Sequence, residues 1–202
     1  MNRSGLILAG IAFGLGSMLT AMTVSQADAY QIYDASSKKW VEYVPGMRYG
    51  GKSPVKREVI DYEGPYKANT IIIDTTERRL YYVMDDGKAI KYGVGVGREG
   101  FQWAGTNRIS RKAEWPGWTP PPAMRKRQPD LPTYMEGGIN NPLGARALYL
   151  FDGGRDTLYR IHGTNEPWTI GLNVSSGCIR LVNDDVTDLH KRAKIGAKVI
   201  VK

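Results

Sequence analysis

The chain has 202 residues, 42% of them hydrophobic, and a formal net charge of +8 at pH 7. This length suits one ordinary domain with export and linker segments, and the apolar fraction excludes wholesale disorder. The positive charge is densest at residues 125–127 and otherwise dispersed, so we expect a solvated basic surface and no nucleic-acid site. Its 24 glycines and 12 tyrosines favour β structure with tight turns.

The N-terminus has the pattern of an export signal. Arg3 precedes a mostly apolar stretch over residues 5–24, and Ala27-Asp28-Ala29 then forms a small-x-small motif. We predict a signal peptide over residues 1–29, cleaved after Ala29; because the apolar stretch is long, an uncleaved membrane anchor is the alternative. The protein is therefore expected in the periplasm or cell envelope, meeting the membrane only through this segment.

Residues 30–66 show no sustained periodicity and are predicted to form an N-terminal arm or linker. Strands are predicted at residues 70–74 and 80–84, followed by an Asp-Asp-Gly turn and a return strand over residues 89–96. Glycines inside that return strand indicate a bend or a close backbone approach.

Residues 97–145 are predicted to be rich in loops, with a lid within about residues 112–145; an irregular elaboration packed around tryptophans is the alternative. Further strands are predicted at residues 147–151, 158–161 and 197–201. A helix over residues 184–194 is predicted to be capped by Asn183, with Val186 and Leu189 facing inward and Gly196 beyond its end. The fold class is therefore mainly β with one short helix.

The chemistry centres on a single cysteine. Cys178 cannot form a disulfide within its own chain, so it is an intermolecular partner, a buried small residue or a reactive thiol. His162 lies sixteen residues earlier at the end of a predicted strand, where its imidazole can take the thiol proton. Gly177 allows a turn in which the Gly177 and Cys178 amides form an oxyanion hole, and the Gly163 carbonyl can orient the imidazole.

Other polar residues have less specific predictions. Arg180 is expected either to hold a substrate carboxylate or to pin the loop through backbone carbonyls. His190 is expected on a solvated helix face, without a catalytic role. Two histidines and one cysteine show no spaced ligand set, so neither a metal nor another cofactor is predicted.

The segment His162-Gly163-Thr164 and the segment from Ser175 through Leu181, of sequence SSGCIRL, resemble the active-site signature of the YkuD-type L,D-transpeptidases. The resemblance runs from about Lys67 to the C-terminus and implies a β-sandwich-like catalytic domain over residues 67–202, with a lid. It implies Cys178 as nucleophile, His162 as base, and Ser175 as the residue that ties down the loop. Ser176 stands where the family often has histidine, and Thr164 and Ser176, with Arg180, are candidates for substrate binding or loop positioning.

The resemblance also implies the reaction. Attack by Cys178 on a peptidoglycan stem peptide would release D-alanine and leave a thioester. An amine from a second stem would then give a three-to-three cross-link, and an envelope protein as acceptor would become anchored. Water as acceptor would make the protein an L,D-carboxypeptidase. A sortase-like or papain-like peptidase fits the residue spacing or order poorly, so the remaining alternative is a non-catalytic peptidoglycan-binding domain of the envelope.

Overall fold

A computed structural model describes residues 53–202 fully and the backbone of two earlier segments. Those segments are strands β1 (Tyr30–Asp34) and β2 (Lys39–Tyr43), which pair antiparallel. The predicted signal peptide over residues 1–29 lies outside the described residues. Within the described part of the chain, no helix has both the length and the apolar character needed to cross a membrane.

The remaining elements confirm a mainly β chain with a short helix after the cysteine. The strands are β3 (Glu58–Asp61), β4 (Thr70–Asp74), β5 (Arg79–Val83), β6 (Lys88–Gly93), β7 (Val96–Gly97), β8 (Gly105–Glu114), β9 (Arg146–Asp152), β10 (Arg155–His162), β11 (Asn173–Ser175), β12 (Ile179–Arg180) and β13 (Lys198–Val201). The helices are α1 (Pro122–Arg127) and α2 (Asn183–Arg192), and a 3-10 turn spans Pro167–Thr169.

Nine of the described strands form one mixed sheet, in the order β12-β10-β9-β8-β13-β4-β5-β6-β3. Two neighbouring pairs, β13–β4 and β10–β12, are parallel, and the others are antiparallel. Strands β7 and β11 form a separate parallel pair. The parallel β10–β12 pair at one edge of the sheet carries the residues discussed below.

The core explains why β4 and α2 form where the sequence predicts them. Residues 70–73 of β4 are all buried, as expected for a short β-branched run covered on both faces. Val186 and Leu189 of α2 are completely buried in the same core, which confirms their inward orientation. These apolar contacts hold α2, and the segment before it, against the sheet.

Strand β8 corrects the prediction of a loop-rich segment starting at residue 97. It runs for ten residues between β13 and β9, in the middle of the sheet. Only Asn107 and Ile109 are buried in it, so the hydrophobic alternation that reveals a strand is nearly absent. Main-chain bonding to both neighbours holds this polar strand in place.

Two smaller comparisons with the sequence predictions concern the glycines after β6 and the bounds of the helices. The return strand β6 ends at Gly93, and a Cβ on Gly95 would lie 3.0 Å from the Thr169 carbonyl, which confirms a close backbone approach. Helix α1 was not predicted; it has no buried residue to produce a periodic pattern. Helix α2 begins at Asn183 and ends at Arg192, two residues before the predicted end.

The predicted N-terminal arm contributes to the sheet. Strand β3 pairs antiparallel with β6 as the edge strand, and Val55 lies against Gly93. Just before β3, Arg57 forms ion pairs with Asp185 at 3.6 Å and Asp188 at 3.3 Å. The last part of the arm therefore packs on the same sheet and helix as the remainder of the described chain.

Candidate active site

Pairing between β10 and β12 places the two predicted catalytic residues on adjacent chain segments. Ile161 lies opposite Ile179, and His162 lies opposite Arg180. Both isoleucines are buried, so side chains one residue away point to the other face. Cys178 immediately precedes Ile179, and its Sγ lies 3.9 Å from the carbonyl of Leu158 in β10, the strand that ends at His162.

The His162 imidazole is buried and held in one orientation. Its Nδ1 lies 2.6 Å from the Gly163 carbonyl oxygen. Because a carbonyl can only accept, Nδ1 carries the proton and Nε2 is left with a free lone pair. Burial, and then the charge of Arg180, lower the pKa of His162 to about 3. His162 is thus a neutral base at ordinary pH.

The Cys178 thiol is partly accessible, and its Sγ lies 3.9 Å from the Leu158 carbonyl. Loss of water around the sulfur raises the pKa of this thiol, against a backbone hydrogen bond from Arg160 and the charges of Arg160 and Arg180. Both groups therefore rest in their uncharged forms, as a thiol and a neutral imidazole.

Ser175 closes the turn that carries the cysteine. Its Oγ donates to the Cys178 carbonyl at 2.5 Å and accepts from the Gly177 amide at 3.1 Å. This is the loop-fixing position expected from the family resemblance. It also differs from the predicted oxyanion hole, because the Gly177 amide is already engaged. None of the described residues accepts a hydrogen bond from the Cys178 amide.

Aromatic residues clamp the same turn from outside. Gly177 has φ +109, and a Cβ there would lie 2.5 Å from Cε1 of Tyr159. Tyr159 stacks on Trp103 with ring centroids 4.5 Å apart, and Trp103 Nε1 donates to the Gly177 carbonyl at 2.8 Å. Only glycine meets both the conformational and the spatial requirement at residue 177.

Arg180 is bound by a residue that the sequence did not single out. Its Nη1 donates to Glu166 Oε2 at 2.7 Å, and the two side chains are only 12% and 4% exposed. This is an ion pair with a side chain, different from both predicted roles of Arg180. A lone glutamate in an irregular segment gave no pattern that would have identified Glu166.

Asn183 joins the histidine segment to the end of the predicted lid. Its Oδ1 accepts from the Thr164 amide at 3.2 Å and from the Ala145 amide at 2.9 Å. The predicted capping role is therefore wrong: the N-cap residue is Val182, and no side chain caps α2. The buried Thr164 accepts from the Glu166 amide through Oγ1 at 2.9 Å, which makes it a positioning residue here.

The other candidates lie at the margins of the site. Ser176 is partly exposed beside Gly177. His190 is half-buried on α2 with its Nε2 shielded from solvent, so it is less solvated than predicted, and no described contact joins it to Cys178. No group of three or more metal-ligating side chains occurs among the described residues.

The segment between β8 and β9 has an internal anchor. Asn141 is buried, and its Nδ2 donates to the carbonyls of Pro116, Met135 and Glu136 at 3.1, 3.2 and 2.8 Å. From α1 in this segment, Arg127 reaches over the Phe101 ring at 4.9 Å. The region predicted as a lid thus has defined structure and contacts the loop beside Cys178.

Comparison with known proteins identifies the family of this chain. Residues 68–201 match the YkuD family, described as the L,D-transpeptidase catalytic domain. The probable L,D-transpeptidase ErfK/SrfK of Escherichia coli (strain K12) is 41% identical over 138 residues, which are 64% of this chain and 42% of that protein. The chain therefore spans less than half the length of that relative.

Solved structures show the same fold. A Brucella melitensis protein, described as a probable carnitine operon oxidoreductase, is 42% identical, with a TM-score of 0.51 over 75% of this chain and 96% of its own. The catalytic domain of an E. faecium L,D-transpeptidase acylated by ertapenem is 19% identical, with a TM-score of 0.50 over 69% of this chain and 100% of its own. Since the family match covers most of its length, the chain belongs to the YkuD family of L,D-transpeptidase catalytic domains, which are cysteine-dependent acyltransferases.

Proposed function

We propose that the protein is an exported L,D-transpeptidase that acts on peptidoglycan stem peptides through a thioester on Cys178. The observation that carries this proposal is that the paired strands β10 and β12 carry a buried, neutral imidazole held by the Gly163 carbonyl and, immediately before β12, a partly accessible cysteine. The family match and the L,D-transpeptidase relatives support the reaction class.

In the first step, Cys178 Sγ attacks the carbonyl that joins the third stem residue to the terminal D-alanine. The thiol proton passes to Nε2 of His162, and the Cys178 amide donates to the developing oxyanion. Collapse of the tetrahedral intermediate breaks the peptide bond, and His162 returns the proton to the departing D-alanine amine. The products are free D-alanine and a Cys178 thioester.

In the second step, a primary amine attacks the thioester carbon. The amine loses a proton through His162, Sγ recovers it as the thiol, and a new amide bond forms. An amine from a second stem gives a three-to-three cross-link, and an amine of an envelope protein gives an anchored protein. Water in place of the amine gives the L,D-carboxypeptidase reaction.

Burial and the charge of Arg180 lower the pKa of His162, so its imidazolium returns the proton readily in each half-reaction. The same weak basicity makes the first proton transfer, from the Cys178 thiol, the demanding step. Arg180 helps to keep that pKa low, and the buried Glu166 carboxylate holds Arg180 in place. We assign Glu166 and Arg180 as positioning residues that set the acidity of the imidazolium.

The remaining parts of the chain have roles consistent with this activity. We assign residues 1–29 to export, residues 30–66 to an arm, and residues 67–202 to the catalytic domain. The segment between β8 and β9 is assigned as a lid over the stem peptide, because Arg127 within it contacts the loop beside Cys178. Deletion of residues 120–140 should reduce transpeptidation; unchanged activity would remove the lid from the account.

The function is tested by incubating the purified protein with tetrapeptide muropeptides and identifying the products by mass spectrometry. Dimers joined through third residues identify a transpeptidase, and tripeptides without dimers identify a carboxypeptidase. Cys178→Ala should abolish both products, and Ser110→Ala, at an exposed position of β8, is the control that should keep them. Binding of muropeptide without release of D-alanine would favour the non-catalytic alternative.

A further inference from the structure

An open groove of about 540 Å³ lies beside the site and has no role in the account above. Its volume falls within the usual range of about 300–1,000 Å³ for ligand sites. The residue that links it to the chemistry is Leu158, which lines the groove and whose carbonyl is 3.9 Å from Cys178 Sγ. Other lining residues used below are Trp103, Thr106, Asp152, Arg155 and Tyr159.

A bulge in β10 forms the wall of the groove nearest to the sulfur. Asp156 pairs with Phe151 and Arg160 pairs with Tyr149, so residues 157–159 of β10 stand opposite a single residue of β9. Leu158, at the centre, has φ +63 and a side chain that is 64% exposed. A branched residue in the left-handed region is strained, and such strain persists only where other contacts enforce it.

Side chains on both sides of Leu158 enforce the bulge. Asp156 accepts from the Leu158 amide at 2.9 Å and from Arg160 Nη1 and Nη2 at 2.7 and 2.8 Å. Thr157 Oγ1 donates to the Leu150 carbonyl at 2.6 Å and accepts from the Tyr159 amide at 3.2 Å. These bonds hold the Leu158 carbonyl towards the sulfur and leave its side chain on the groove.

We infer that this groove is the subsite for the acyl acceptor, a primary amine carried on a flexible peptide chain. The inference deepens the proposed function and depends on it. In the resting enzyme the Leu158 carbonyl faces the thiol; once Sγ carries the acyl group, that carbonyl has lost its donor and can accept an N–H from the amine.

The distances are compatible with attack from the groove. A nitrogen about 2.9 Å from the Leu158 oxygen can also lie about 3–3.5 Å from the thioester carbon, because that carbon is bonded to a sulfur 3.9 Å from the same oxygen. The stacked rings of Trp103 and Tyr159 flank the groove on the side of the cysteine turn. An amine that enters along the groove therefore arrives beside the thioester.

The groove also suits the charge of a peptide acceptor. Asp152 and Arg155 face each other across the β9–β10 turn and are both exposed, and no salt bridge joins them in the described structure. A stem peptide with a free amine carries carboxylates as well. A groove whose end holds both a positive and a negative side chain therefore suits this peptide better than a groove lined by charges of one sign.

The test uses the full-length protein with tetrapeptide muropeptides and compares the dimer-to-tripeptide ratio between variants. Thr106→Trp fills the groove from a paired strand that accepts aromatic residues, and we expect the ratio to fall by about tenfold or more, since water still reaches the thioester. Ser110→Trp, on the same strand outside the groove, is the matched control and should keep the ratio.

A second variant removes hydrogen bonds from the β10 bulge without adding side-chain volume. Thr157→Val is nearly isosteric and removes both hydrogen bonds of the hydroxyl, so the Leu158 carbonyl loses its fixed direction; we expect the ratio to fall while Cys178 still forms the acyl adduct, read by intact-protein mass. An unchanged dimer-to-tripeptide ratio in both variants overturns the inference. An equal loss of acyl adduct and of dimer also overturns it, because the groove would then bind the acyl donor. If the parent protein forms no adduct, the proposed function itself fails.

Discussion

His162 and Cys178 are both held in environments that disfavour their charged forms. The imidazole is buried next to the Arg180 guanidinium, and the thiol is desolvated beside a backbone carbonyl. A stable thiolate–imidazolium pair would need the opposite arrangement, with an anion near the ring. The site therefore disfavours the thiolate at rest, and a protonated thiol is less prone to oxidation.

This arrangement predicts an unusual pH profile for acylation of Cys178 by a tetrapeptide muropeptide. Because the pKa of His162 is lowered to about 3 and that of Cys178 is raised, the neutral pair persists from acidic to mildly alkaline pH. The second-order acylation rate should stay flat between about pH 5 and 8. A rise with a midpoint near 6.5, the ordinary imidazole value, would contradict the account. Alkylation by iodoacetamide, which needs the thiolate, should rise over the same range.

Position 177 requires glycine for two reasons, its backbone conformation and the nearby Tyr159 ring, and two variants separate these reasons. Gly177→Ala places a methyl group 2.5 Å from the Tyr159 ring at a φ of +109, so we expect a loss of at least about 2 kcal/mol in unfolding free energy and at least tenfold slower acylation. Gly100→Ala is the control for conformation alone, since it has φ +77 and open space. Urea denaturation and the rate of acylation by a tetrapeptide muropeptide measure the two effects. Equal behaviour of the two variants would show that the ring contact is unimportant.

Sequence reasoning at this scale reached the residues with distinctive local signals and missed those defined by folding. Cys178, His162 and Gly163 follow from a lone thiol, a strand end and an adjacent carbonyl; the His162 ring binds the Gly163 carbonyl, and Cys178 directly precedes the strand that pairs with β10. Glu166 and Leu158 act through contacts with residues 14 and 20 positions away. No local pattern records those pairings, because they depend on the path of the chain between β10 and β12.

Helix α2 fixes the position of the catalytic segments. Val186 and Leu189 pack in the core, and at its first residue Asn183 binds both the Thr164 and the Ala145 amides. The helix thereby connects the chain after His162 with the end of the segment before β9. A side chain that bridges two segments costs more to remove than an exposed helix cap, because two amides lose their partner.

Asn183→Ala should therefore lower the unfolding free energy by about 1–3 kcal/mol. It should also slow acylation, because the segment after His162 loses its bond to Asn183 and moves. Asp184→Ala, at the exposed next position of the same helix, is the matched control and should change both quantities little. Denaturation midpoints and rates of acylation by a tetrapeptide muropeptide give the comparison. If Asn183→Ala behaves like the control, the bridge does not hold the site.

A buried carboxylate on α2 predicts a pH-dependent stability. Burial raises the pKa of Asp185 to about 6 in the folded protein, so the charged carboxylate opposes folding above that pH. The effect disappears below about pH 3.8, because the carboxyl is then protonated in both the folded and the unfolded state. Asp185→Asn should stabilise the protein at pH 8 by about 1–2 kcal/mol and by much less at pH 4.5. Urea denaturation at the two pH values measures the difference.

Asp188 provides a contrast of opposite sign. Despite burial, hydrogen bonds from Arg192 and Tyr92 lower the pKa of this carboxyl, so its charge supports folding at pH 8. Asp188→Asn should therefore destabilise the protein at pH 8. A loss of stability in Asp185→Asn as large as that in Asp188→Asn would mean that the ion pair with Arg57 outweighs the burial of Asp185.

At the scale of elements, strands with apolar alternation or β-branched runs were predictable, and polar ones were not. Residues 70–74 match β4 exactly as the run of isoleucines predicts, because the strand is buried on both faces. Strand β8 is held mainly by main-chain bonds to two neighbours, which leave no trace in hydropathy. Strand β3 was equally hard to predict, because it joins the sheet only through main-chain pairing with β6 at the edge.

At the scale of the whole molecule, one mixed sheet brings its distant parts to a single edge. Strand β10 supplies His162, the turn before β12 supplies Cys178, and the loop before β8 supplies Trp103, which binds the Gly177 carbonyl of that turn. The mainly β class and the helix after the cysteine followed from pattern and resemblance. The strand order did not, since pairings such as β13 with β4 join segments more than a hundred residues apart.

The central claim is that Cys178 becomes acylated by a stem peptide. The most direct measurement is the intact mass of the protein, with peptide mapping, after brief exposure to a tetrapeptide muropeptide. The account predicts an adduct on Cys178 equal to the muropeptide without its terminal D-alanine, and no adduct in Cys178→Ala. D-alanine released at an undiminished rate by Cys178→Ala, or an adduct on any other residue, would contradict it.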